Sequence, residues 1–477
     1  MQNIRKKPAL LVAVLPIIVL VLLLSISIII LDCDPLSGPS QVSLLLAALF
    51  TALLAKLHGR KWNDLMDGVV KTVSASTTAI LILFSIGMIA GSWMIGGVIP
   101  NFIYYGLGIL RAEYFLPATL VISAIISVCT GSSWTTIATI GVALLGMGNA
   151  LGINPAITAG ALISGAYFGD KVSPLSDTTN LAASSCNVDL MTHIKFLMRS
   201  SAPAFVITLI IFSLISIFGS SSAADMSEIH AIQEALKSNI NITPWVFIVP
   251  AAVGYMIYKK MPVLAILVIA SFLGLGCALI FQEDVLTRIA GSEGNIMDVL
   301  MRSLYGTSEI KVGEPSLDSL LTTRGMAGML NTVWLVLMAM TFGGMMESAG
   351  FMNRITEAMI SKIQKTSSLV TATVLNCLLL NIVVADQFLT IVLSGKMFSK
   401  AYENHGLTPE MLSRTVEDSG TVTSVLVPWN SCGATQASVL GVATMSYLPY
   451  AFFCWISPLM SIFLVITGLS VRKIKKS

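Results

Sequence analysis

Charge is scarce in this chain: only 11% of its 477 residues are Asp, Glu, Lys or Arg, and four are histidine. A domain wetted on all sides carries roughly a quarter charged residues, so an ordinary soluble fold is excluded. The seven cysteines occur singly, with no Cys-x-x-Cys and no Cys/His spacing. That excludes a disulfide framework and a zinc centre. No nucleophile–base set is present, which argues against an enzyme. Gly146-Met-Gly148 lies inside an apolar segment and is no phosphate loop. The net charge of +3 comes from Lys and Arg at the ends of apolar runs, leaving no basic face for nucleic acid. Regular apolar/polar alternation is missing too, which excludes a membrane β-barrel.

What the chain does have is apolar length. It is 55% hydrophobic, with runs near 20 residues that match the thickness of a bilayer. The fold class expected is an all-α polytopic membrane protein. Arg5-Lys6-Lys7 followed by an apolar run over 9–31 resembles a signal peptide. The run is longer than a typical h-region and no A-x-A site follows, so a retained first span is expected.

Lys and Arg cluster at 5–7, 56–61, 195–199, 259–260, 354–365, 396–400 and 472–476. Placing every cluster in the cytoplasm satisfies the positive-inside rule. Full spans are then expected near 9–31, 41–57, 76–98, 201–219, 244–258, 262–281, 330–349 and 448–470. Two re-entrant hairpins are expected at 115–150 and 367–400, and two broken helices at 155–190 and 418–446. The total is about ten spans plus two hairpins, with both termini cytoplasmic. The polar stretch 220–243 is expected outside as a surface helix, and 282–328 as the longest loop.

Shifting the sequence by 253 residues superposes Trp134 on Gln387, Ser133 on Asp386, Asp177 on Asn430, Thr178 on Ser431 and Gly97 on Gly350. One offset joins a helix-end glycine, a hairpin tip and a polar break. The charge-derived topology places the first hairpin outside and the second inside, which makes the repeats inverted. The expected organisation is an N-terminal pair of spans (1–61), a first inverted repeat (62–219), linking spans and loops (220–314) and a second inverted repeat (315–477). Paired interruptions in inverted repeats point to a transporter site.

Four polar clusters fall at those interruptions: Gly131-Ser-Ser-Trp-Thr-Thr136, Gly169–Asn180, Ala385–Thr390, and Glu417-Asp-Ser-Gly-Thr421 through Gly433. Acids inside a membrane segment are costly and mark ion or proton pathways. Asp170, Asp177, Asp386 and Asp418 are the candidate ion- and proton-binding residues. Ser132, Ser133, Trp134, Thr135, Ser176, Thr178, Thr179, Asn180, Gln387, Ser419, Asn430 and Ser431 are the candidate lining residues. A Na⁺ site is placed at Asp177, Thr178 and Asn180. A structural role is the competing reading for each: ion pairs with Lys171 or arginine for the acids, helix caps for Asn180 and Asn430, core packing for the tryptophans. Lys171 is open between pairing with Asp177 and attracting a carboxylate substrate. Glu417 is read as an edge residue near Arg414, and His193 as an interfacial anchor.

The strings Gly131–Thr136, Gly141–Gly148, Thr158–Leu181, Ala385-Asp-Gln387 and Glu417-Asp-Ser-Gly-Thr421 through Val427-Pro-Trp-Asn430 resemble the NhaC-type Na⁺/H⁺ antiporter family. The resemblance spans nearly the whole chain. It implies a fold of inverted repeats and secondary active exchange of Na⁺ for H⁺ by alternating access in the cytoplasmic membrane, with Na⁺ and H⁺ as cargo and no cofactor. The family also holds exchangers that couple Na⁺ and H⁺ to malate or lactate, so a small carboxylate or amino acid is the alternative cargo. Ala183-Ser-Ser-Cys186 departs from the Pro- or Gly-containing run expected there and leaves the substrate open. The partners expected are these ions and the bilayer, with a homodimer as one assembly such a chain could form.

Overall fold

The computed structural model describes residues 8–27, 38–219, 226–291, 294–312, 318, 321–361 and 363–474. Arg5-Lys6-Lys7, Ser222, Glu293 and Lys362 lie outside the described residues, as does the end of the expected first span.

Among the described residues the regular structure is helical, apart from a two-residue antiparallel ladder that pairs Ser308 with Thr323 and Glu309 with Thr322 and an isolated antiparallel bridge between Leu407 and Lys473. Among the described residues seven helices are long and apolar enough to cross a membrane, or nine if two bent pairs count as one span each. Leu10–Ser25, Pro39–Leu57, Thr77–Ile95, Leu190–Gly219, Val263–Phe281, Leu330–Ala349 and Phe452–Ile466 lie where spans were expected.

The polarity of the molecule is inverted relative to a soluble protein. Leu45, Leu49 and Leu53 on one helix, Val206, Ile210, Leu214 and Ile217 on another, and Phe272, Leu279 and Ile280 on a third are exposed. Asp170, Lys171, Asp386, Arg414, Glu417 and Asp418 are buried. An apolar exterior around a charged interior is a stable arrangement only in lipid. The chain is an integral membrane protein.

Helices approach closely where glycine replaces larger residues. The helices Ala112–Thr130 and Pro155–Val172 meet along such a seam: a Cβ at Gly165 would lie 2.2 Å from Leu120 O, and one at Gly169 would lie 2.3 Å from Ala124 O. Small residues at the contact let backbones pack without a hydrophobic driving force.

Two stretches differ from the sequence expectation. The expected span 244–258 is a one-turn 3₁₀ segment, Pro244–Phe247, and an 11-residue helix, Ile248–Tyr258. Such a helix is ~16 Å long, about half a bilayer. With the preceding helix it forms a pair bent by 90°. Pro244 starts the segment and the Lys259-Lys260 turn ends it, at the bounds expected. The expected long loop 282–328 is largely ordered structure, with helices Glu283–Ala290 and Ile296–Tyr305 before the small ladder. The expected surface helix is present as Met226–Asn239, with Leu236 buried and Gln233 Nε2 donating to Tyr104 O at 3.0 Å.

Two helical hairpins and two interrupted helices carry most of the buried polarity. The first hairpin runs up Ala112–Thr130 and returns through Ser133–Thr136, a π-helical turn and Val142–Ala150. Gly131 turns its tip at φ +66°, and a Cβ there would meet Leu175 C at 2.6 Å, so only glycine fits. The second hairpin joins Thr366–Val383 to Gln387–Asn404. Its tip turns on Ala385 at φ +58°, a left-handed conformation that a side chain adopts only when its surroundings hold it there. Here Ala385 O accepts from Ser431 N at 2.9 Å. The first interrupted helix is Pro155–Val172 followed by Asp177–Ser185. The second is Pro409–Val416, a π-helical turn Glu417–Thr421, a 3₁₀ turn, and Ser431–Leu440.

Candidate ion and substrate site

A cavity of about 620 Å³ opens between the two hairpin tips and the first helix break. Ser132, Trp134, Thr135, Asp170, Asp177, Thr178, Asp386 and Gln387 line it, together with Phe388. Ala75, Ser76, Thr78 and Ala79 and the turn around Lys260 also line it.

Each acid is placed by the local fold. Pro174 and the polar run after Val172 stop a helix, and Ser176 caps the next one by accepting from Thr179 N. The freed chain brings Asp170 against the first hairpin tip. Asp170 Oδ2 accepts from Ser133 N at 3.0 Å and Ser133 Oγ at 2.7 Å, and Oδ1 accepts from Ser176 Oγ at 2.6 Å. Asp386 caps Gln387–Asn404, accepting from Leu389 N at 2.9 Å, and Ser431 Oγ lies 3.4 Å from its other oxygen. Asp177 opens its half-helix, is exposed, and faces the cavity.

The remaining expected residues separate into two groups. Ser132 caps the tip by accepting from Thr135 N at 3.2 Å. Gln387 receives a long contact, 3.5 Å, from Ser424 Oγ. Thr179 Oγ1 donates to Lys171 O at 2.9 Å, beneath the break rather than in the cavity. Asn180 is exposed, and its amide donates to Ser176 O at 2.7 Å and Pro174 O at 3.2 Å. It ties the broken backbone and is not among the cavity lining, unlike Asp177 and Thr178. Asn430 caps Ser431–Leu440 through Cys432 N at 3.0 Å and donates to Asn381 O at 3.0 Å. Trp429 Nε1 donates to Ile382 O at 2.8 Å. Ser419 is fully buried.

Asp418 stands apart from the cavity. It is fully buried, bonded to Lys171 Nζ, 3.2 Å from Ser457 Oγ and 3.9 Å from Arg414 Nε. Lys171 also donates to Ser457 Oγ at 2.6 Å. The question left open for Lys171 is answered: its partner is Asp418, across the interface between the two interrupted helices.

Sequence reasoning read Glu417 as an edge residue and left it out of the candidate site. It is fully buried, accepts from Thr178 Oγ1 at 3.2 Å through Oε1, and its Oε2 has no hydrogen-bond partner among the described residues. The contacts run on: Thr178 Oγ1 lies 3.0 Å from Ser176 Oγ, which reaches Asp170. Two hydroxyls thus join the cavity carboxylate Asp170 to Glu417. Ser76 and Thr78 also escaped notice as lining residues, although the polar run Ser74-Ala-Ser-Thr-Thr78 interrupts the apolar pattern there.

The sequence profile of the Na⁺/H⁺ antiporter family matches residues 165–469. The chain is similar to the Na⁺/H⁺ antiporter NhaC of Alkalihalophilus pseudofirmus, at 36% identity over 91% of both chains. It is similar to the malate-2H⁺/Na⁺-lactate antiporter of Bacillus subtilis, at 34% identity over 90% of both. An uncharacterized Na⁺/H⁺ antiporter of Haemophilus influenzae is 33% identical over 99% of this chain and 98% of its own. These relatives are transporters, not enzymes. The chain belongs to the Na⁺/H⁺ antiporter family.

Proposed function

We propose that this secondary antiporter exchanges Na⁺ for H⁺ at the cavity between the hairpin tips. The observation that carries the reading is the convergence there of Asp170, Asp177 and Asp386 with hydroxyls from both the tip and the break. Carboxylates, hydroxyls and freed carbonyls are the oxygen donors a hard cation takes, and acids buried at the midplane of broken helices are where such transporters bind ions. Asp177 and Thr178 belong to the Na⁺ site, with Asp170 beside them; Asn180 supports the backbone.

The hydroxyl chain gives the proton a path. From Asp170 through Ser176 and Thr178 to Glu417 there are three oxygen–oxygen gaps of 2.6, 3.0 and 3.2 Å. The hydroxyls bring one hydrogen each. A third hydrogen, carried by one of the two carboxyl groups, fills every gap, and Na⁺ arriving at Asp170 displaces it.

The two halves, 62–219 and 315–477, are inverted repeats in this reading, with 1–61 and 220–314 as additions. Support comes from Gly97 and Gly350, both left-handed helix caps at the shift that aligns the two halves, and from Ser132 and Asp386, which cap the two hairpin tips one residue out of that register. The basic clusters orient the chain with both termini in the cytoplasm and the cavity mouth at Lys260 facing inward, in the cytoplasmic membrane. Na⁺ leaves as H⁺ enters, and no cofactor takes part.

The malate/lactate relative keeps a second reading alive, an organic cargo in place of or beside the ions. Proteoliposomes separate the two. Na⁺ uptake driven by a pH gradient alone, lost in Asp170→Asn, is the result expected. Na⁺ uptake that needs an organic compound on the opposite side, or normal exchange by Asp170→Asn, overturns the proposal.

A further inference from the structure

Outside the cavity lining lies a second buried polar cluster, and His193 is the member of it without a task. Read from the sequence as an interfacial anchor, His193 is instead fully buried. It sits one helical turn inside the start of Leu190–Gly219, its N–H bonded to the carbonyl of the exposed Asp189 at 2.8 Å. That helix packs against Pro155–Val172, Pro409–Val416 and the π-helical turn Glu417–Thr421. The buried charged residues on those elements are Asp170, Lys171, Arg414, Glu417 and Asp418. The ring lies within electrostatic reach of Lys171 and Asp418.

Hydrogen bonds assign the tautomer of the ring. Ser413 Oγ lies 2.9 Å from His193 Nδ1 and donates its single hydrogen to Glu410 O at 3.3 Å. The hydroxyl therefore accepts from Nδ1–H, and Nε2 carries a lone pair. Nε2 is buried and has no hydrogen-bond partner among the described residues. A histidine kept only for packing spends both ring nitrogens on bonds, because an unpaired buried acceptor is costly. Here one nitrogen is anchored and the other remains a base in a cluster of buried acids. Glu417 Oε2 and Asp418 Oδ2 in that cluster also lack a hydrogen-bond partner among the described residues.

The charges leave one proton free to move. Lys171 and Asp418 are committed to each other, and Arg414 keeps Ser470 Oγ at 2.7 Å. Glu417 and His193 remain. With the proton on Glu417 both are neutral. With it on His193 they become a carboxylate and an imidazolium, opposite charges that leave the total of the cluster unchanged. We propose that His193 Nε2 takes the proton that arriving Na⁺ drives along the hydroxyl chain to Glu417 and passes it to the cytoplasm. A carboxyl O–H breaks as Nε2–H forms. The imidazolium then yields that proton to water at the helix end, where Asp189 is exposed and Glu410 half-buried. Na⁺ enters the protein through the cavity mouth at Lys260, and H⁺ leaves by a separate route. This rests on the reading of the chain as a Na⁺/H⁺ exchanger and adds a proton carrier to it.

Two experiments on the full-length protein test the relay. In proteoliposomes His193→Asn, whose amide nitrogen keeps the bond to Ser413 while the Nε2 base is lost, should slow Na⁺ uptake driven by a pH gradient by about tenfold or more. Its isotopic Na⁺/Na⁺ exchange, which moves no proton, and its calorimetric Na⁺ affinity should match the parent. An undiminished pH-driven rate overturns the inference, as does a loss of both exchange modes together, which marks a structural role. Either result leaves Na⁺/H⁺ exchange by the parent standing. The second experiment needs neither exchange nor a change at His193. In a protein carrying His58→Asn, His230→Asn and His405→Asn, isotope-labelled His193 should give the nitrogen NMR signals of the Nδ1–H tautomer without Na⁺. The Nε2 signal should move toward the imidazolium position when Na⁺ is added. A ring held as Nε2–H, or one that does not respond to Na⁺, overturns the relay. A responsive ring in a protein without Na⁺/H⁺ exchange upholds His193 as a proton acceptor and overturns the exchange reading.

Discussion

Asp418 was expected at the ion site, yet the fold gives it to Lys171, and substitution measures what that pair does. Both side chains are fully buried. Lys171→Met removes one cation and leaves Asp418 with Arg414 Nε at 3.9 Å and Ser457 Oγ at 3.2 Å. Breaking a buried pair from one side costs about 3–5 kcal/mol, because the remaining charge is stranded. The residual Arg414 contact puts Lys171→Met near the lower end, about 3 kcal/mol. Asp418→Asn is the harsher change. It strands two buried cations at once, Lys171 and Arg414, and costs about 5 kcal/mol or more. The double variant Lys171→Met, Asp418→Asn leaves only Arg414, which keeps Ser470 Oγ at 2.7 Å and the Phe196 ring at 4.7 Å. It should recover part of the loss, so the two single effects are not additive. The assay is denaturant unfolding in mild detergent, followed by helical circular dichroism. Asp418→Asn as stable as the parent, with Na⁺ binding selectively lost, would refute the reasoning and return Asp418 to the ion site.

Other outcomes follow from the same geometry. Thr178→Val keeps the side-chain shape and removes the hydroxyl that serves the Na⁺ site and links Ser176 to Glu417, so both Na⁺ affinity and proton release per Na⁺, read with a dye in weak buffer, should fall. Glu417→Gln should leave Na⁺ binding in place and lower proton release per Na⁺ without unfolding the protein, since its Oε2 makes no hydrogen bond among the described residues. Gly169→Ala drives a Cβ to 2.3 Å from Ala124 O and should lower stability by about 1–3 kcal/mol, seen as a reduced thermal midpoint. Cysteines at Asp177 and Lys260 should react with a membrane-impermeant thiol reagent in inside-out vesicles and not in intact cells, because both line one cavity; labelling of both from outside would reverse the assigned orientation.

The places where helices break were legible because burying Asp170 or Asp386 against lipid is too costly to be accidental, and because Pro174 and the hydroxyl runs beside them offer capping chemistry. The family followed from the same strings. What the sequence hid is pairing across distance. Lys171 and Asp418 are 247 residues apart, and nothing local to Lys171 distinguishes Asp418 from the nearer Asp177. The neighbours Glu417 and Asp418 also look equivalent as text. The π-helical turn Glu417–Thr421 sends one to Thr178 and the other to Lys171 and Arg414. Asn180 reads as a ligand until its amide is seen bonded to the carbonyls of Pro174 and Ser176.

The central claim is that Na⁺ and H⁺ compete for carboxylates in one cavity. Calorimetric Na⁺ titration of the purified protein from about pH 5.5 to about 8.5 tests it most directly. Competition predicts that apparent Na⁺ affinity falls about tenfold per pH unit, ~1.4 kcal/mol, for each proton displaced once the pH is below the site's pKa. An affinity flat across that range, in a protein that still binds Na⁺, would contradict it.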